Sequence, residues 1–301
     1  MKRAAAAAAA ALATISPAVA QDLEPRSFSP VPVGVNFLAV GYGYSYGNVI
    51  LDPSLPITGG EARLHSAFVA YLREIDFFGL SAKIDAVLPF VVHGKWRGDV
   101  SGVRDSTTRT GLGDPAVRLS VNFVGAPAMR LPEFAKRKPR TVVGASLQVL
   151  APLGTYEPER LINLGTNRWT FKPRIGVSQP VGRWILEAHA TGWFFTNNPD
   201  ADGATLQQDP MWATDAHVTR LFGRGIWASF DIGYILGGRA SKDGVESAAR
   251  QESARLGATL AIPVTSRHSV KLSYFSGVYA QLGSDFDNFV AAWQYRWGGG
   301  L

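Results

Sequence analysis

Large apolar side chains alternate with small or polar ones along this chain, with a period of two residues. In the clearest segment, residues 35–47, the apolar face holds Leu38, Val40, Tyr42, Tyr44 and Tyr46. From residue 39 onward the other face holds only alanine, glycine and serine. Because successive side chains of a β-strand point to opposite faces, the pattern predicts a strand with one apolar and one small-residue face.

The same period returns along most of the chain. It is clear over 80–88, 114–123, 143–151, 169–178, 228–236, 255–262 and 288–297. Weaker candidates lie at 66–72, 186–195, 214–219 and 270–274. About twelve segments of roughly ten residues match the length of tilted membrane-spanning strands.

The connections between these segments alternate in length. Long ones are expected at 48–61, 89–113, 152–168, 197–211 and 237–251, and a final loop at 283–287. Shorter ones are expected at 73–79, 125–140, 179–183, 221–225 and 263–268. Outer-membrane barrels have long external loops and short periplasmic turns. We therefore expect an all-β, antiparallel transmembrane β-barrel of about twelve strands; the alternative, a soluble β-sandwich, explains neither this parity nor aromatic residues near strand ends.

The N-terminal residues predict export. Lys2 and Arg3 precede an uncharged, alanine-rich run, and Ala18-Val19-Ala20 has the small-x-small form of a cleavage site. Residues 1–20 are therefore interpreted as a secretory signal peptide rather than an alanine-rich helix. Residues 21–33, rich in proline, are expected to hang in the periplasm, or alternatively to enter the lumen as a partial plug. Residues 34–301 are expected to form the barrel, in a bacterial outer membrane.

Composition narrows the chemistry. The chain has no cysteine, which excludes a lipoprotein anchor, disulfides, iron–sulfur clusters and thiolate metal sites. No run of eighteen apolar residues follows the signal, so only a closed barrel could cross a bilayer. A pI near 9.6 in an exported protein indicates anionic partners, namely lipid headgroups, lipopolysaccharide or solutes, and not nucleic acid. The basic run 136–140 is interpreted as contacting headgroups or solvent.

The charged residues on the inward faces are the candidate selectivity residues. With the amide Asn122 and two histidines, they are Lys83, Asp85, Arg118, Lys172, Arg174, Glu187, His189, Asp215, His217, Asp231, Arg255, Lys271 and Arg296. Seven are basic and four acidic, which predicts a modest preference for anions. The alternative is a salt-bridge network that only supports the wall.

Four of these residues are expected to approach one another. Glu187 and His189 share one strand face, Asp215 and His217 share the next, and the two strands should be antiparallel neighbours. Such a group could bind a divalent metal or act as an acid–base pair, although polar lumen clusters are common. We expect no resident metal or cofactor.

The loop at 152–168 is the candidate ordered element at the outer mouth, because it is long and rich in glycine and polar residues. Its candidate residues are Tyr156, Arg160, Asn163, Asn167 and Arg168. The alternative is a purely structural cap.

Several motifs together resemble the outer-membrane transporter family of the meta-pathway of phenol degradation. They include Gly111-Leu-Gly-Asp-Pro115, the long segment 152–173, Phe194-Phe-Thr-Asn-Asn198 and the closing Trp293-Gln-Tyr-Arg-Trp297. The resemblance runs from about Gly34 to Trp297 and implies a barrel associated with uptake of aromatic or hydrophobic compounds. The last strand also resembles the signal read by the barrel-assembly machinery, although the chain ends Gly298-Gly-Gly-Leu301 rather than on an aromatic residue.

The expected function is passage of small molecules, with aromatic or hydrophobic solutes implied by the resemblance. The alternatives are a structural or interaction barrel with a closed lumen and a membrane-embedded hydrolase. An enzyme is not expected, because the chain has no His-Glu-x-x-His motif and no Gly-x-Ser-x-Gly elbow: its Gly43-Tyr-Ser-Tyr-Gly47 lies inside the predicted strand 35–47 instead of at a turn into a helix.

Overall fold

The computed structural model describes residues 23–50, 57–100, 103–160, 162–247 and 250–300. One short helix, α1 (Leu131–Phe134), lies between the fifth and sixth strands. The strands are β1 (Val35–Ile50), β2 (Ile57–Phe77), β3 (Leu80–Val100), β4 (Val103–Leu112), β5 (Ala116–Val124), β6 (Val142–Leu150), β7 (Thr170–Val181), β8 (Trp184–Phe195), β9 (Leu206–Gln208), β10 (Met211–Gly223), β11 (Ile226–Gly237), β12 (Ala240–Lys242), β13 (Val245–Glu246), β14 (Gln251–Pro263) and β15 (His268–Gly298).

The large sheet closes on itself with antiparallel pairing throughout. Strand β15 forms two arms: residues 269–282 pair with β14, and residues 283–298 pair with β1. The arms also contact each other, since the Tyr274 hydroxyl donates to Asp287 over 2.7 Å. Strands β4 and β5 both pair with β3 and together form one side of the wall. Counted this way the wall has twelve strands, which confirms the predicted barrel.

The two faces of the wall follow the predicted alternation. Apolar side chains such as Val40, Val69, Ile84 and Ile175 are exposed on the outside. Buried apolar residues form only small separate clusters in the described chain. An apolar exterior around a polar interior is the arrangement that lipid on the outside requires.

Three predicted loops are wrong, because the strands continue through most of them. Residues 48–50 and 57–61 belong to β1 and β2, 89–112 lie mainly in β3 and β4, and 283–287 lie in β15. The physical reason is a packed cluster above the lipid belt. There Leu64, Trp96 and Phe286 on the inner faces of these strands bury Leu164 of the loop after β6.

The remaining connections follow the predicted parity with smaller differences. The turn between β2 and β3 is shorter than expected, and 125–140 contains α1. The loops 197–211 and 237–251 contain β9, β12 and β13, which form a small separate sheet. The predicted signal peptide, 1–20, lies outside the described residues. Nowhere in the described ranges is there a helix with the length and hydropathy needed to cross a membrane.

Candidate functional site in the barrel lumen

Residues 23–33, called the plug from here on, lie inside the barrel. Leu23 and Phe28 are buried, with Phe28 only 1% exposed. The segment enters the wall at Gly34, whose amide donates to the Glu74 carbonyl over 2.9 Å. This corrects the expected periplasmic location and agrees with the alternative of a partial plug. The physical reason is that the lumen contains charged side chains that pair with this short segment and glycine-lined spaces that accept its apolar side chains.

Three polar attachments hold the plug. The Glu24 carboxylate bonds the Arg118 guanidinium and lies 3.8 Å from that of Arg174. The Arg26 amide donates to Glu187 over 2.6 Å. The Lys83 ammonium donates to the Ser27 carbonyl over 2.8 Å. Because Arg118 also bonds Asp85 at 3.0 Å, the plug extends an ion-pair chain that begins in the wall.

Two apolar side chains of the plug, Phe28 and Leu23, pack against glycines of the wall. A Cβ at Gly144 or Gly176, which are paired across β6 and β7, would lie 2.4 or 2.6 Å from the Phe28 ring. A Cβ at Gly233 would lie 2.7 Å from Leu23. These glycines therefore create the space that the two plug side chains occupy.

Gly144→Ala changes the wall rather than the plug, and it should weaken the attachment between them. The new methyl overlaps Phe28 and the Asn122 amide oxygen, and overpacking of this kind costs about 1–3 kcal/mol. We expect a larger conductance in planar bilayers than for the wild-type chain. Phe28→Ala should mimic the effect, and in that background Gly144→Ala should add little. Additive effects of the two substitutions would contradict the proposed seat.

A network of histidines and aspartates lies on β8, β10 and β11. Asp215 accepts from His189 Nδ1 at 2.6 Å and from His217 Nε2 at 2.7 Å, while His217 Nδ1 lies 2.7 Å from Asp231. The structure thus brings together three of the four residues expected to cluster and adds Asp231. Glu187 is directed to Arg26 of the plug instead.

The network has the donor types of a divalent-metal site but the distances of hydrogen bonds. His189, Asp215 and His217 each offer one donor atom, and these atoms lie within 4.8 Å of one another. Two ligands of one tetrahedral zinc are separated by about 3.3 Å, given bonds of roughly 2.0–2.1 Å. The 2.6 and 2.7 Å separations are shorter. The Arg174 guanidinium, 3.6 Å from Asp215, adds positive charge that disfavours a second cation.

The other predicted lumen residues are dispersed. Asn122 is buried and donates weakly to Ser81, at 3.4 Å. The Lys172 ammonium lies 5.0 Å from the centre of the Trp193 ring. Arg255 is buried, and Lys271 on β15 is exposed. Arg296 is not a mid-lumen residue, because its guanidinium donates to the Ser266 carbonyl in the turn before β15.

The loop at 152–168 is folded, as its composition suggests. Asn163 donates to the carbonyls of Glu157 and Arg160, each over 2.9 Å. Asn167 donates to Asn198 over 2.9 Å, and the Tyr156 hydroxyl donates to the Asp200 carbonyl over 2.9 Å.

Two arginines of this loop lie in different environments. Arg160 is exposed in an ion pair with Glu157. Arg168 is buried against Gln208 and Phe195, and burial lowers its pKa to about 10. The buried Asp114 carboxylate, from the Gly-Leu-Gly-Asp-Pro motif, anchors the loop by accepting from the amides of Gly154 and Thr166.

Sequence reasoning missed three charged lumen residues. Glu24 and Arg26 lie in a segment without periodicity, so no pattern assigned them a face. Glu74 lies on β2 beyond the predicted end of that strand and bonds Ser81 at 2.5 Å. Glu74 lies two residues after Leu72, so extending the two-residue period past the predicted end of the strand would have placed both on the same face. With Glu74 added and Arg296 left out, the predicted lumen set has five acidic residues against six basic ones.

Comparisons with known proteins show a matching family and solved structures with a similar barrel. The family model described as "Putative MetA-pathway of phenol degradation" matches residues 48–291. The COG4313 outer membrane channel from Pseudomonas putida F1 superposes with a TM-score of 0.79 at 18% identity, covering 92% of this chain and 100% of that chain. The transport unit of the autotransporter AIDA-I from Escherichia coli gives 0.55 at 12% identity, covering 94% and 95%. Among curated proteins none matches significantly. These structural likenesses identify an outer-membrane type of barrel.

Proposed function

From the premise that this chain belongs to that phenol-degradation family, we propose that it is an outer-membrane channel for small molecules, closed by its own plug. The plug's mode of attachment carries the proposal. It is held by a few ion pairs, hydrogen bonds and two apolar side chains, rather than by a continuous core. Attachments of this kind can be released without unfolding the barrel, since the wall strands bond one another independently of the plug.

Aromatic or hydrophobic compounds are the proposed solutes. The family description supports this class, and so does the seat of Phe28. A phenyl ring lies there on Gly144 and Gly176, and its centre is 5.4 Å from the centre of the His189 ring in an edge-to-face arrangement. Once the plug leaves, the same seat can accept the ring of a solute. The neighbouring cavity is polar and includes Arg118, Lys172 and Arg174, which suits an aromatic compound carrying an anionic or hydroxyl group.

A liposome uptake assay tests the proposal. Proteoliposomes holding the mature chain should admit benzoate and phenol faster than they admit glucose, and faster than protein-free liposomes do. Gly176→Val fills the seat, so it should reduce aromatic uptake while leaving small-ion conductance intact or raised. Equal uptake with and without protein, under conditions in which the plug is displaced, would refute the channel.

Ion selectivity supplies an independent measurement. The inward wall keeps an excess of basic residues, so we propose a modest preference for anions. The observed ion pairs of Arg118 with Asp85 and of Arg174 with Asp215 reduce the free charge. Reversal potentials under a KCl gradient should therefore indicate anion preference well short of ideal. Cation preference would contradict the proposal.

The two rival functions make different predictions. A structural barrel with a permanently closed lumen is favoured by the plug itself, and it predicts no conductance under any condition. A hydrolase needs a nucleophile beside a base. Among the described residues, the contacts of His189 and His217 are to aspartates and aromatic rings, and no serine or threonine hydroxyl bonds either imidazole.

A further inference from the structure

A cluster of basic side chains lies on the outside of the wall, where β2, β3 and β4 extend beyond the lipid belt. Arg63 is paired in register with Lys95, and Arg97 and Arg104 follow on the same face. All four are exposed or partly exposed. We call these four residues the basic patch.

The outward tyrosines of β1 show where the basic patch lies along the barrel axis. Arg63 is directly opposite Tyr46, and both point outward. Further down the same face of β2, Val69 and Tyr71 are exposed apolar residues of the lipid belt. The basic patch therefore begins where the apolar belt ends, at the level of lipid headgroups.

Acidic neighbours neutralise only part of the basic patch. Arg104 lies 3.6 Å from Glu61 and 4.0 Å from Asp99, in exposed pairs that contribute little. On β2, β3 and β4 the described outward face at this level thus carries four basic groups against two acidic ones. His65 and His93, paired across β2 and β3, border it below.

The outward face of the strands on the other side of β1, namely β15 and β14, carries acidic residues at this end of the barrel. There the outward polar residues include Asp287, which is paired in register with Tyr46, and Glu252 on β14; they accept from the hydroxyls of Tyr274 and Tyr234 over 2.7 and 2.5 Å. The positive charge of this part of the wall is therefore concentrated on β2, β3 and β4. A uniform solvated rim does not account for this asymmetry.

We propose that the basic patch binds the phosphate groups of a phosphorylated glycolipid in the outer leaflet, with its acyl chains lying on the belt below. Arginine matches phosphate oxygens with paired N–H donors, and lysine adds a point charge. The exposed apolar residues Val92 and Phe90, next to the patch on β3, supply a surface for the chains. This site is independent of the lumen and of the solute.

The test uses the mature, folded chain in detergent, titrated with diphosphoryl lipid A and followed by native mass spectrometry. The variant combines Arg63→Gln, Lys95→Gln and Arg97→Gln. Each cation near an anionic lipid surface contributes roughly fivefold, so we expect about hundredfold weaker binding. Arg250→Gln, which alters an exposed arginine just before β14 that is paired with Glu252 at 3.5 Å and lies outside the basic patch, is the control and should bind like wild type.

Two further ligands separate the source of the phosphate. Dephosphorylated lipid A should bind weakly to wild type and variant alike, and phosphatidylglycerol should bind more weakly than diphosphoryl lipid A. Unchanged binding by the triple variant would overturn the proposal. So would equal affinity for phosphatidylglycerol, because the patch would then be a general anionic-lipid surface. Retained heat-modifiable mobility on gels shows that each variant is folded.

Discussion

Replacing residues 23–31 with a glycine–serine sequence of equal length should convert a mostly closed barrel into one that conducts continuously. The replacement removes the Glu24, Phe28 and Leu23 attachments together, while Val33 and Gly34 keep their backbone bonds to Met129 and Glu74. Because β1 and its partners do not depend on the plug for pairing, the wall should remain folded. Single-channel recording in planar bilayers measures the change.

A graded variant tests the same mechanism without altering the backbone. Glu24→Gln weakens the attachment to Arg118 and Arg174 by about 1.5 kcal/mol, which is roughly tenfold in the ratio of open to closed channels. The effect stays moderate because Arg118 keeps Asp85 and Arg174 keeps Asp215. Glu246→Gln, in an exposed pair with Arg239, is the charge-matched control and should leave gating unchanged.

The outcomes discriminate clearly between mechanisms. If the glycine–serine chain and the wild type conduct equally, the plug does not obstruct the path of solutes. If neither conducts although both are folded, the closed-lumen alternative is correct. Folding is checked by resistance to SDS before heating.

Asp215→Asn should cause the largest loss of stability among substitutions in the wall. The carboxylate is buried and accepts from two imidazoles, with Arg174 3.6 Å away. Removing one member of a buried charge network leaves its partners uncompensated, and we expect a loss of about 3–5 kcal/mol in the free energy of unfolding. Urea titration of the folded barrel, followed by tryptophan fluorescence and gel mobility, measures it.

Two companion variants make this prediction specific. Asp209→Asn alters an exposed aspartate just before β10 and should change stability by about 0.5 kcal/mol or less. Asp231→Asn disturbs the other side of His217. Because both aspartates act through one imidazole, the double variant should lose less than the sum of the single losses. Full additivity would indicate that the network is not coupled.

The alternation of large apolar residues with small or polar ones predicted much of the barrel wall. Alternation over 35–47 assigned the tyrosines to the outside and glycine and serine to the inside, as the structure has them. The approximate pairing of β8 with β10 also followed, because two strands joined by one loop are antiparallel neighbours in a barrel. His189 and Asp215 are indeed paired in register. Strand ends were predicted less well, since Arg63 and Lys95 look like loop residues until their inner neighbours Leu64 and Trp96 are known to be buried.

By itself the sequence determined what depends on neighbouring residues: the strands, their faces, the parity of the connections and the resemblance to the phenol-degradation family. Only the tertiary structure decided the position of the plug and the exchange of Glu187 for Asp231 in the histidine network. The physical reason is that periodicity is a local property, whereas the seat of Phe28 is formed by glycines on separate strands. Gly144 and Gly176 are 32 positions apart in the sequence and become one surface only when β6 and β7 pair in this register.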